Sequence, residues 1–404
     1  MQVLLAHPGT QHARRLAQQL ERCALLGEYW TGLAFAEQGI AARTVTRLRG
    51  LPRVKGLSNR IVVGVLASKL HCVPGNEIRA IARLALGGES LEVLHRRNRI
   101  FQDAIPDSSI DASDAVIAFD TSAWRLARRA RDRSRPLFLD RTIGHPTALA
   151  RIEAEVGRLY PEWGASRHAR PDYVVAAEAE EHDLARRIVT GSDFARDTLL
   201  AEGLPAEKLR VNPYGVDWTR FGRAPVAPGP RPLRFLFLGS HVGRKGLPVL
   251  LDAWRSLGSR RGDAELWLAG YCGERERRLI PALPGLRILG LLSHQDLPAT
   301  LGRCDVLVLP TFFEGFTLTL LESLAAGLRV ISTPNSGGRE ILARPELGRL
   351  IPAGSVDALV AALAAELGSP PDRAVVRAAA ASLADAYSWD AYGDRWSRLL
   401  REDT

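Results

Sequence analysis

Two glutamates in the second half of the chain, Glu314 and Glu322, are separated by seven residues, and a helix is predicted to begin between them near Thr317. Eight residues cover roughly 12 Å in a helix, and more where the chain is extended. This distance suits a ribose at one end, a pyrophosphate between, and a hexose at the other. Carboxylates accept hydrogen bonds from sugar hydroxyls, and free N–H groups at a helix start can face phosphate oxygens. The pattern alone equally suits one acid at a helix start and a solvated acid later.

Two further loops between a strand and a helix contain glycines. The strand predicted at 233–239 ends in glycine, and Arg244, Lys245 and Gly246 follow it before an apolar helix. Glycine lets backbone N–H groups approach an anion, and both cations suit phosphate oxygens. The segment 334–340 (PNSGGRE) is a second glycine loop that enters a helix. Three loops at one sheet edge predict an anion site, whereas the Arg-Lys-Gly loop alone would also suit an exposed turn.

Several cofactor motifs are absent from the sequence. No G-x-G-x-x-G follows the first strand, and neither a Walker A pattern nor an Asp-x-Asp motif occurs. Widely spaced cysteines form no C-x-x-C pair, so neither a zinc site nor a redox dithiol is indicated. These cysteines are Cys23, Cys72, Cys272 and Cys304. The prediction is a site that uses cations, no metal and no cofactor.

Alternating strands and helices must position these loops. Strands are predicted at 2–7, 31–36, 115–119, 136–140, 173–177, 233–239, 265–270, 286–290, 305–310 and 329–333. Helices are predicted between them at 12–25, 147–158, 178–187, 246–257, 318–326 and 356–367. This alternation predicts parallel sheets with helices on both faces.

A segment rich in Pro and Gly at 212–232 divides the chain into two halves, each long enough for a doubly wound sheet. We therefore predict an α/β fold of two Rossmann-like domains that face each other across a cleft. The first domain would cover residues 1–212 and the second residues 213–387, with an amphipathic terminal helix at 388–404.

Composition excludes several classes of protein. The 404 residues include 54 Lys+Arg and 45 Asp+Glu, a net charge of +9, and 46% are hydrophobic. A chain of this kind is neither mainly disordered nor collagen-like. The N-terminus lacks the basic segment of a signal peptide, and no apolar run reaches the roughly 18 residues of a membrane-spanning helix. We expect a cytoplasmic protein with reduced cysteines.

The excess positive charge lies in the first hundred residues. No acidic residue occurs between Glu37 and Glu77, where basic residues alternate with Leu, Val and Ile. The basic residues of this stretch are Arg43, Arg47, Arg49, Arg53, Lys55, Arg60 and Lys69. Residues 43–69 would suit an anionic membrane surface, where each basic side chain contributes about 1 kcal/mol. A solvated basic face or a cleft for an anionic substrate is the alternative, and no nucleic-acid-binding motif accompanies the charge.

Taken together, these motifs resemble glycosyltransferase family 4, which comprises retaining nucleotide-sugar transferases with the two-domain GT-B fold. The resemblance extends over essentially the whole chain and is densest in the second half. Residues 314–322 match the family's E-x7-E motif, 244–246 resemble its phosphate-binding loop, and 211–217 resemble its domain junction. Residues 387–389 resemble the start of its closing helix, which in this fold returns to the first domain.

The resemblance implies roles on the donor side. Arg244 and Lys245 would neutralise the departing β-phosphate, Glu314 would face the donor hexose, and Glu322 would hold the ribose hydroxyls. Further donor contacts would be made by the glycine that ends the strand and by backbone groups, at Gly239, Leu291, Phe316, Thr317 and Leu318.

The implied reaction is hexose transfer from a nucleotide diphosphate sugar to a glycan, polysaccharide or lipid-linked acceptor. The setting would be cell-envelope polysaccharide biosynthesis, with peripheral attachment to the inner face of the cytoplasmic membrane. Charge stabilisation of the leaving phosphate would drive the reaction, and a phosphate oxygen would accept the acceptor's proton. Ser240 stands where many members carry arginine, so a non-catalytic nucleotide-sugar-binding protein is one alternative. A GT-B relative with phosphorylase or epimerase chemistry is the other.

Candidates on the acceptor side lie in the first half. Gly9 and Thr10 follow the first strand and resemble a family loop near the donor phosphates and the acceptor. Asp140 and His145 come after a predicted strand, and either would orient the acceptor hydroxyl. His145 would equally serve as a residue at a helix start. Asp120 has the same two interpretations, because aspartate caps helices well.

Overall fold

The computed structural model describes residues 1–47, 57, 60–164, 170–224 and 231–404. They form two α/β domains, each built on a sheet in which every strand pair is parallel. The predicted α/β class is therefore confirmed. Among the described residues, no helix is long and apolar enough to cross a membrane.

The first domain contains a seven-stranded sheet in the order β5-β2-β1-β6-β7-β8-β9, and a separate parallel pair of short strands, β3 and β4. The strands are β1 (Val3–His7), β2 (Leu26–Thr31), β3 (Phe35–Ala36), β4 (Ile61–Val62), β5 (Leu70–Cys72), β6 (Ala115–Phe119), β7 (Leu137–Arg141), β8 (Arg187–Thr190) and β9 (Leu209–Val211). Strands β1, β6 and β7 are completely buried, because helices cover both faces of the sheet.

The described helices of this domain are α1 (Ala13–Arg22), α2 (Ile40–Arg47), α3 (Pro74–Ala85), α4 (Ser90–Ala104), α5 (Asp107–Asp111), α6 (Trp124–Asp132), α7 (Pro146–Leu159), α8 (Asp172–Leu184) and α9 (Asp193–Ala201). A short helix, α10 (Trp218–Gly222), lies within the segment predicted as a linker. Residues 225–230 of that segment lie outside the described part of the chain.

The second domain contains a six-stranded sheet in the order β12-β11-β10-β13-β14-β15. Its strands are β10 (Arg234–Leu238), β11 (Glu265–Ala269), β12 (Leu286–Gly290), β13 (Val306–Leu309), β14 (Arg329–Ser332) and β15 (Gly348–Leu350). Its helices are α11 (Leu247–Leu257), α12 (Glu274–Leu279), α13 (Leu297–Leu301), α14 (Leu318–Ala326), α15 (Gly338–Ile341), α16 (Val356–Gly368) and α17 (Arg373–Ala381). This strand order is that of a doubly wound dinucleotide-binding fold.

The chain crosses between the domains a second time near its end. Helix α18 (Trp389–Asp403) packs on α1 of the first domain, and its Trp396 is fully buried near Phe138 of β7. The two crossings touch at Gly215, where a Cβ atom would lie 2.3 Å from the backbone nitrogen of Trp389. Glycine is required there because nothing larger fits between the two backbones. The exact domain limits drawn from the sequence remain predictions.

Two strand predictions were wrong. The range 31–36 contains the last residue of β2, a segment outside any strand at 32–34, and the short strand β3, which belongs to a different sheet. Residues 173–177 belong to helix α8, and the strand of this region, β8, follows at 187–190. The buried face of α8 carries Glu178 and Glu181 beside Val174 and Ala177. Charged residues on the inner face hide the helical period of the apolar ones, so the short run YVVAA resembled a buried strand.

Candidate functional site

Loops from both domains meet at a cleft. The strand order reverses beside β1 in the first sheet and beside β10 in the second. Ligands of open α/β sheets bind beyond the carboxyl ends of the strands at such points. The cleft has a volume of about 1330 Å³ and is lined by the loop after β1, the domain junction around 214–221 and the start of α14.

The loop after β10 holds both predicted cations next to a turn that only glycine can make. Gly246 has φ +76°, and a Cβ atom there would lie 2.0 Å from the carbonyl oxygen of Pro310. Lys245 lies against Gly239, with Nζ 3.2 Å from where a Cβ of that glycine would stand. Helix α11 begins directly after the turn, so its N-terminal N–H groups add positive potential.

Glu314 joins the two cations. Its Oε1 lies 2.9 Å from the Arg244 guanidinium and 3.1 Å from Lys245 Nζ. Arg244 also donates to the carbonyl of Phe313, and its own carbonyl accepts from Phe312 N–H at 2.9 Å. The structure therefore brings three sequence-predicted residues into one ion-pair set, which retains one net positive charge for an anion.

The residues after Glu314 contact the first domain. A Cβ at Gly315 would lie 1.9 Å from the carbonyl oxygen of Thr142, and Ser192 Oγ donates to the Gly315 carbonyl. The ring of Phe316 is buried, with its centroid 5.5 Å from that of Tyr214 at the domain junction. The loop that carries Glu314 in the second domain therefore packs directly on the first domain.

One backbone N–H group at the start of α14 is already hydrogen-bonded within the second domain. Thr317 N–H donates to the Ser336 carbonyl at 3.1 Å, so the glycine loop at 334–340 supports this turn. Thr317 Oγ1 is buried and has no hydrogen-bond partner within the described part of the chain. Leu318 begins the helix and lines the cleft. Of these groups, the hydroxyl of Thr317 and the backbone of Leu318 are the ones left for a ligand.

Glu322 is the second glutamate of the pair and also lines the cleft. The residue is only 7% exposed, and no ion pair or hydrogen bond to its carboxylate occurs within the described ranges. Burial raises its pKa to about 7, against the opposing influence of Arg220. A buried carboxylate at a cleft wall that has no hydrogen-bond partner is suited to accept hydrogen bonds from vicinal hydroxyls of a ligand.

The structure places the other donor-side prediction at the edge of the site. Leu291 is 77% exposed and follows Gly290, whose φ is +73°. It does not itself line the cleft, although His294 and Gln295 of the same loop do. Its backbone contact with a nucleobase remains a prediction.

Sequence reasoning missed His12 on the acceptor side. Its Nε2 lies 2.8 Å from Oδ2 of Asp140, and Tyr392 of α18 donates to the same carboxylate oxygen at 3.2 Å. The imidazole also lies on Tyr214, with ring centroids 4.1 Å apart. His12 lines the cleft, whereas Asp140 is buried behind it. The sequence did offer one indication of His12, because it lies in the loop after β1, where the strand order of the first sheet reverses.

The remaining acceptor-side candidates occupy different positions. Thr10 is exposed in the cleft wall beside Gly9. His145 caps helix α7, where its Nδ1 accepts from Thr147 N–H at 3.2 Å, and burial lowers its pKa to about 4. It does not line the cleft, so the structure shows a helix-start residue, and its role toward an acceptor stays a prediction.

Asp120 belongs to a buried charged cluster. It accepts from the Thr142 hydroxyl at 2.9 Å and pairs with Arg141, which in turn contacts Glu178 at 2.9 Å. Burial raises the pKa of Asp120. Thr142 is the residue on which Gly315 packs, so this cluster supports the contact between the domains. Among the described residues, no group of three or more His, Cys, Asp or Glu is arranged to hold a metal ion.

Comparison with known families places chemistry at this geometry. Residues 232–368 match the model of the family described as glycosyl transferases group 1. The match covers about a third of the chain and lies within the second domain. The matched range contains Arg244, Lys245, Glu314 and Glu322.

Two curated relatives share part of the chain. A phosphatidyl-myo-inositol mannosyltransferase of Mycolicibacterium smegmatis is 35% identical over 204 residues, which are 49% of this chain and 52% of the relative. The amylovoran biosynthesis glycosyltransferase AmsK of Erwinia amylovora is 30% identical over 177 residues, 41% of this chain and 43% of the relative. The matches thus span about half the length of the curated relatives.

Solved structures match over the whole chain. Sucrose-phosphate synthase from Thermosynechococcus elongatus has a TM-score of 0.66 at 16% identity and covers 99% of this chain and 98% of its own. Anabaena HepE in complex with UDP has a TM-score of 0.63 at 13% identity, with 100% of both chains covered. The predicted GT-B fold, with two Rossmann-like domains across a cleft, is confirmed.

The raised pKa of Glu322 predicts a pH-dependent stability difference. Because the folded pKa of about 7 exceeds the unfolded value of about 4.3, this residue favours folding below the unfolded pKa and loses that contribution as pH rises through 7. Glutamine stays neutral throughout. We expect the free energy of unfolding of wild type to fall relative to Glu322→Gln by about 3 kcal/mol between pH 4 and pH 8 in urea titrations. Glu346→Gln, at an exposed glutamate, is the control, and equal pH slopes for both variants would contradict the burial argument.

Proposed function

We propose that the protein is a family 4 retaining hexosyltransferase that moves a hexose from a nucleotide diphosphate sugar to a glycan, polysaccharide or lipid-linked acceptor. The observation that carries this proposal is the ion-pair set of Arg244, Lys245 and Glu314 within a glycosyl transferase group 1 domain. It lies at the start of α11 and at the domain contact, where a phosphate would meet two cations and free N–H groups.

The chemistry of the donor side follows from charge. When the anomeric bond breaks, positive charge develops on the sugar and negative charge on the departing phosphate. Lys245 and Arg244 stabilise the phosphate, and their positions are already set by Glu314 before the donor arrives. Glu322 would accept hydrogen bonds from the ribose hydroxyls. No metal ion or cofactor is required in this proposal.

Retention would follow if the acceptor attacks from the face that the phosphate leaves. A phosphate oxygen then accepts the proton of the acceptor hydroxyl. His12 lies on the opposite wall of the cleft, with its ring fixed by Asp140 and Tyr214. We assign it a positioning role toward the acceptor hydroxyl, because its orientation is set by Asp140 of β7, Phe119 of β6 and Tyr214 at the domain junction.

Two other functions make different predictions. A non-catalytic nucleotide-sugar-binding protein would bind donor without turnover, and Ser240, in place of arginine, favours that alternative. A phosphorylase would consume free phosphate, and an epimerase would interconvert donors without any acceptor. Binding of donor together with slow donor hydrolysis would support the transferase instead.

Replacing Lys245 tests the donor site. We expect Lys245→Gln to lower the turnover number by about 100-fold or more, because one charge that stabilises the leaving phosphate is lost. Turnover is measured as hydrolysis and transfer with UDP-, GDP- and ADP-sugars. Arg278→Gln, at an exposed arginine of the same domain, should leave it unchanged. Wild-type turnover in Lys245→Gln, or no binding of any donor to the wild-type protein, would reject the proposal.

Replacing His12 tests the acceptor side separately. We expect His12→Gln to lower transfer by roughly 100-fold, since a misplaced acceptor loses much of the benefit of orientation, while donor affinity changes less than about twofold. Transfer is measured at saturating donor, and thermal unfolding checks the fold. His71→Gln is the matched control, because this partly buried histidine of the first domain does not line the cleft. Equal losses of donor binding and transfer would assign His12 to the donor site.

We further propose that the protein works as a peripheral enzyme at the inner face of the cytoplasmic membrane in cell-envelope polysaccharide synthesis. Helix α3 supports this, since Ile78 and Ile81 are 55% and 46% exposed beside Arg79 and Arg83, and Leu86 follows at 87% exposure. An exposed apolar face with arginines is typical of helices that lie in a membrane surface.

The basic stretch at 43–69 contributes less than its composition suggests. Among its described members, Arg60 pairs with Glu77 and Lys69 with Glu21. Arg43 and Arg47 are exposed. The other three basic residues of the stretch lie outside the described residues. The proposed membrane surface therefore centres on α3.

Binding to vesicles tests this surface. We expect the protein to sediment with vesicles that contain anionic lipid and to be released as salt rises, because ions screen surface charge. Ile78→Asn/Ile81→Asn should reduce the bound fraction several-fold. Val375→Asn is the control, since Val375 is 50% exposed on α17 of the second domain. Equal sedimentation with neutral vesicles, or none at low salt, would reject the proposal.

A further inference from the structure

Five arginines line the cleft, and none of them belongs to the ion-pair set of Arg244, Lys245 and Glu314. Arg14 and Arg15 lie at the start of α1, Arg43 and Arg47 on α2, and Arg220 on α10 at the domain junction. Three carboxylates, those of Glu37, Asp217 and Glu322, line the same space. Four of the five arginines belong to the first domain, on the acceptor side.

None of these five arginines has a carboxylate within 4 Å among the residues that the structure describes. Other arginines of the first domain do, as Arg97 with Glu77 and Arg141 with Glu178. The Nε of Arg14 is buried and has no hydrogen-bond partner in the described ranges. Arg14, Arg15 and Arg220 each donate one hydrogen bond to a neutral oxygen, of Thr10, Gln18 and His294 respectively. Within the described part of the chain, the charges of the five guanidinium groups are therefore not paired with a carboxylate in direct contact.

The positive charges of the cluster are also close enough to influence one another. Burial lowers the pKa of Arg14 and of Arg15, and Arg220 lowers that of Arg15 further, against Asp217. Burial, and then Arg220, Arg14 and Arg15, lower the pKa of His294 in the second domain. These residues thus surround one region of the cleft. Like charges held together and partly desolvated cost free energy unless an anion offsets them.

The carboxylates that line the cleft offset this positive charge only in part. Asp217 accepts the backbone N–H of Arg220 at 2.9 Å as the cap of α10. Glu322 has a pKa of about 7, so near neutral pH it carries only part of a negative charge. Glu37 is exposed at the edge of the cleft. Five arginines against three carboxylates leave an excess of positive charge, which suits a bound anion.

We propose that this cluster of Arg14, Arg15, Arg43, Arg47 and Arg220 binds a phosphate or diphosphate group of the acceptor, so that the acceptor substrate is an anion. The inference rests on the proposed transferase function and names the acceptor class. Guanidinium groups form paired hydrogen bonds with phosphate oxygens. The donor's diphosphate is assigned to the loop of Arg244 and Lys245, neither of which lines this space.

Pyrophosphate is the probe for the cluster. Its binding is measured by calorimetry with and without saturating nucleoside diphosphate, which occupies the donor site. We expect pyrophosphate to bind the nucleotide-saturated protein, and Arg14→Gln/Arg15→Gln to raise the dissociation constant at least tenfold. Arg43→Gln/Arg47→Gln, on a different helix, should weaken binding as well, and thermal unfolding checks that both variants fold.

A matched pair of exposed arginines provides the control. Arg131→Gln/Arg278→Gln removes the same charge outside the cleft and should change the dissociation constant less than twofold. Binding that is abolished by saturating nucleotide, or that the cluster variants leave unchanged, would overturn the proposal. Failure of any nucleotide to bind would instead count against the proposed transferase function, because pyrophosphate is also measured alone.

Two competitors separate the sources of the phosphate. Farnesyl diphosphate represents a lipid-linked acceptor and glucose 1-phosphate a phosphorylated sugar. If only farnesyl diphosphate displaces pyrophosphate, the acceptor is assigned as a lipid diphosphate. If only glucose 1-phosphate displaces it, the acceptor is assigned as a phosphorylated sugar. If neither displaces it, the cluster does not bind an acceptor phosphate and the proposal is wrong.

Discussion

The candidate site depends on the ion pairs of one carboxylate with two cations. Arg244 and Lys245 come from the loop after β10, and Glu314 from the loop after β13. Without Glu314, two adjacent positive charges would repel each other, and the Arg244 guanidinium would be left with its hydrogen bond to the Phe313 carbonyl. With it, the cations are fixed at the start of α11 and still carry net positive charge. A phosphate would therefore meet a prepared site, which is what stabilisation of a leaving group requires.

Close backbone contacts couple this site to the rest of the molecule. Gly315 packs on the carbonyl of Thr142, and Gly215 packs on the start of α18. The first contact joins the two domains and the second joins the two chain crossings, each at a point where no side chain fits. The position of Glu314 relative to the first domain is therefore determined by backbone packing. The buried ion pair of Arg141 and Glu178 supports that packing from inside the first domain.

The residues of the cleft and of the ion-pair set come from both domains. The second domain contributes the ion-pair set and Glu322, whereas the first contributes His12, held by Asp140, and most of the arginine cluster. Helix α18 contacts both the first domain and the domain junction. Its Tyr392 donates a hydrogen bond to Asp140, and its first residue packs on Gly215. Donor and acceptor groups would thus be held by different sheets and brought together only by the domain contact.

The amino-acid sequence by itself determined the parallel α/β architecture and the donor loops. Apolar runs mark the strands, and the carboxyl ends of parallel strands must meet at one edge, so residues 244–246 and 314–322 had to converge. The first half of helix α8 was predicted as a strand because the buried face of the helix carries glutamates. Only the tertiary structure decided that His12 meets Asp140, 128 residues away, and that arginines from α1, α2 and α10 share one wall. Contacts between such distant residues depend on how helices and domains pack, and a local pattern of residue types does not predict this packing.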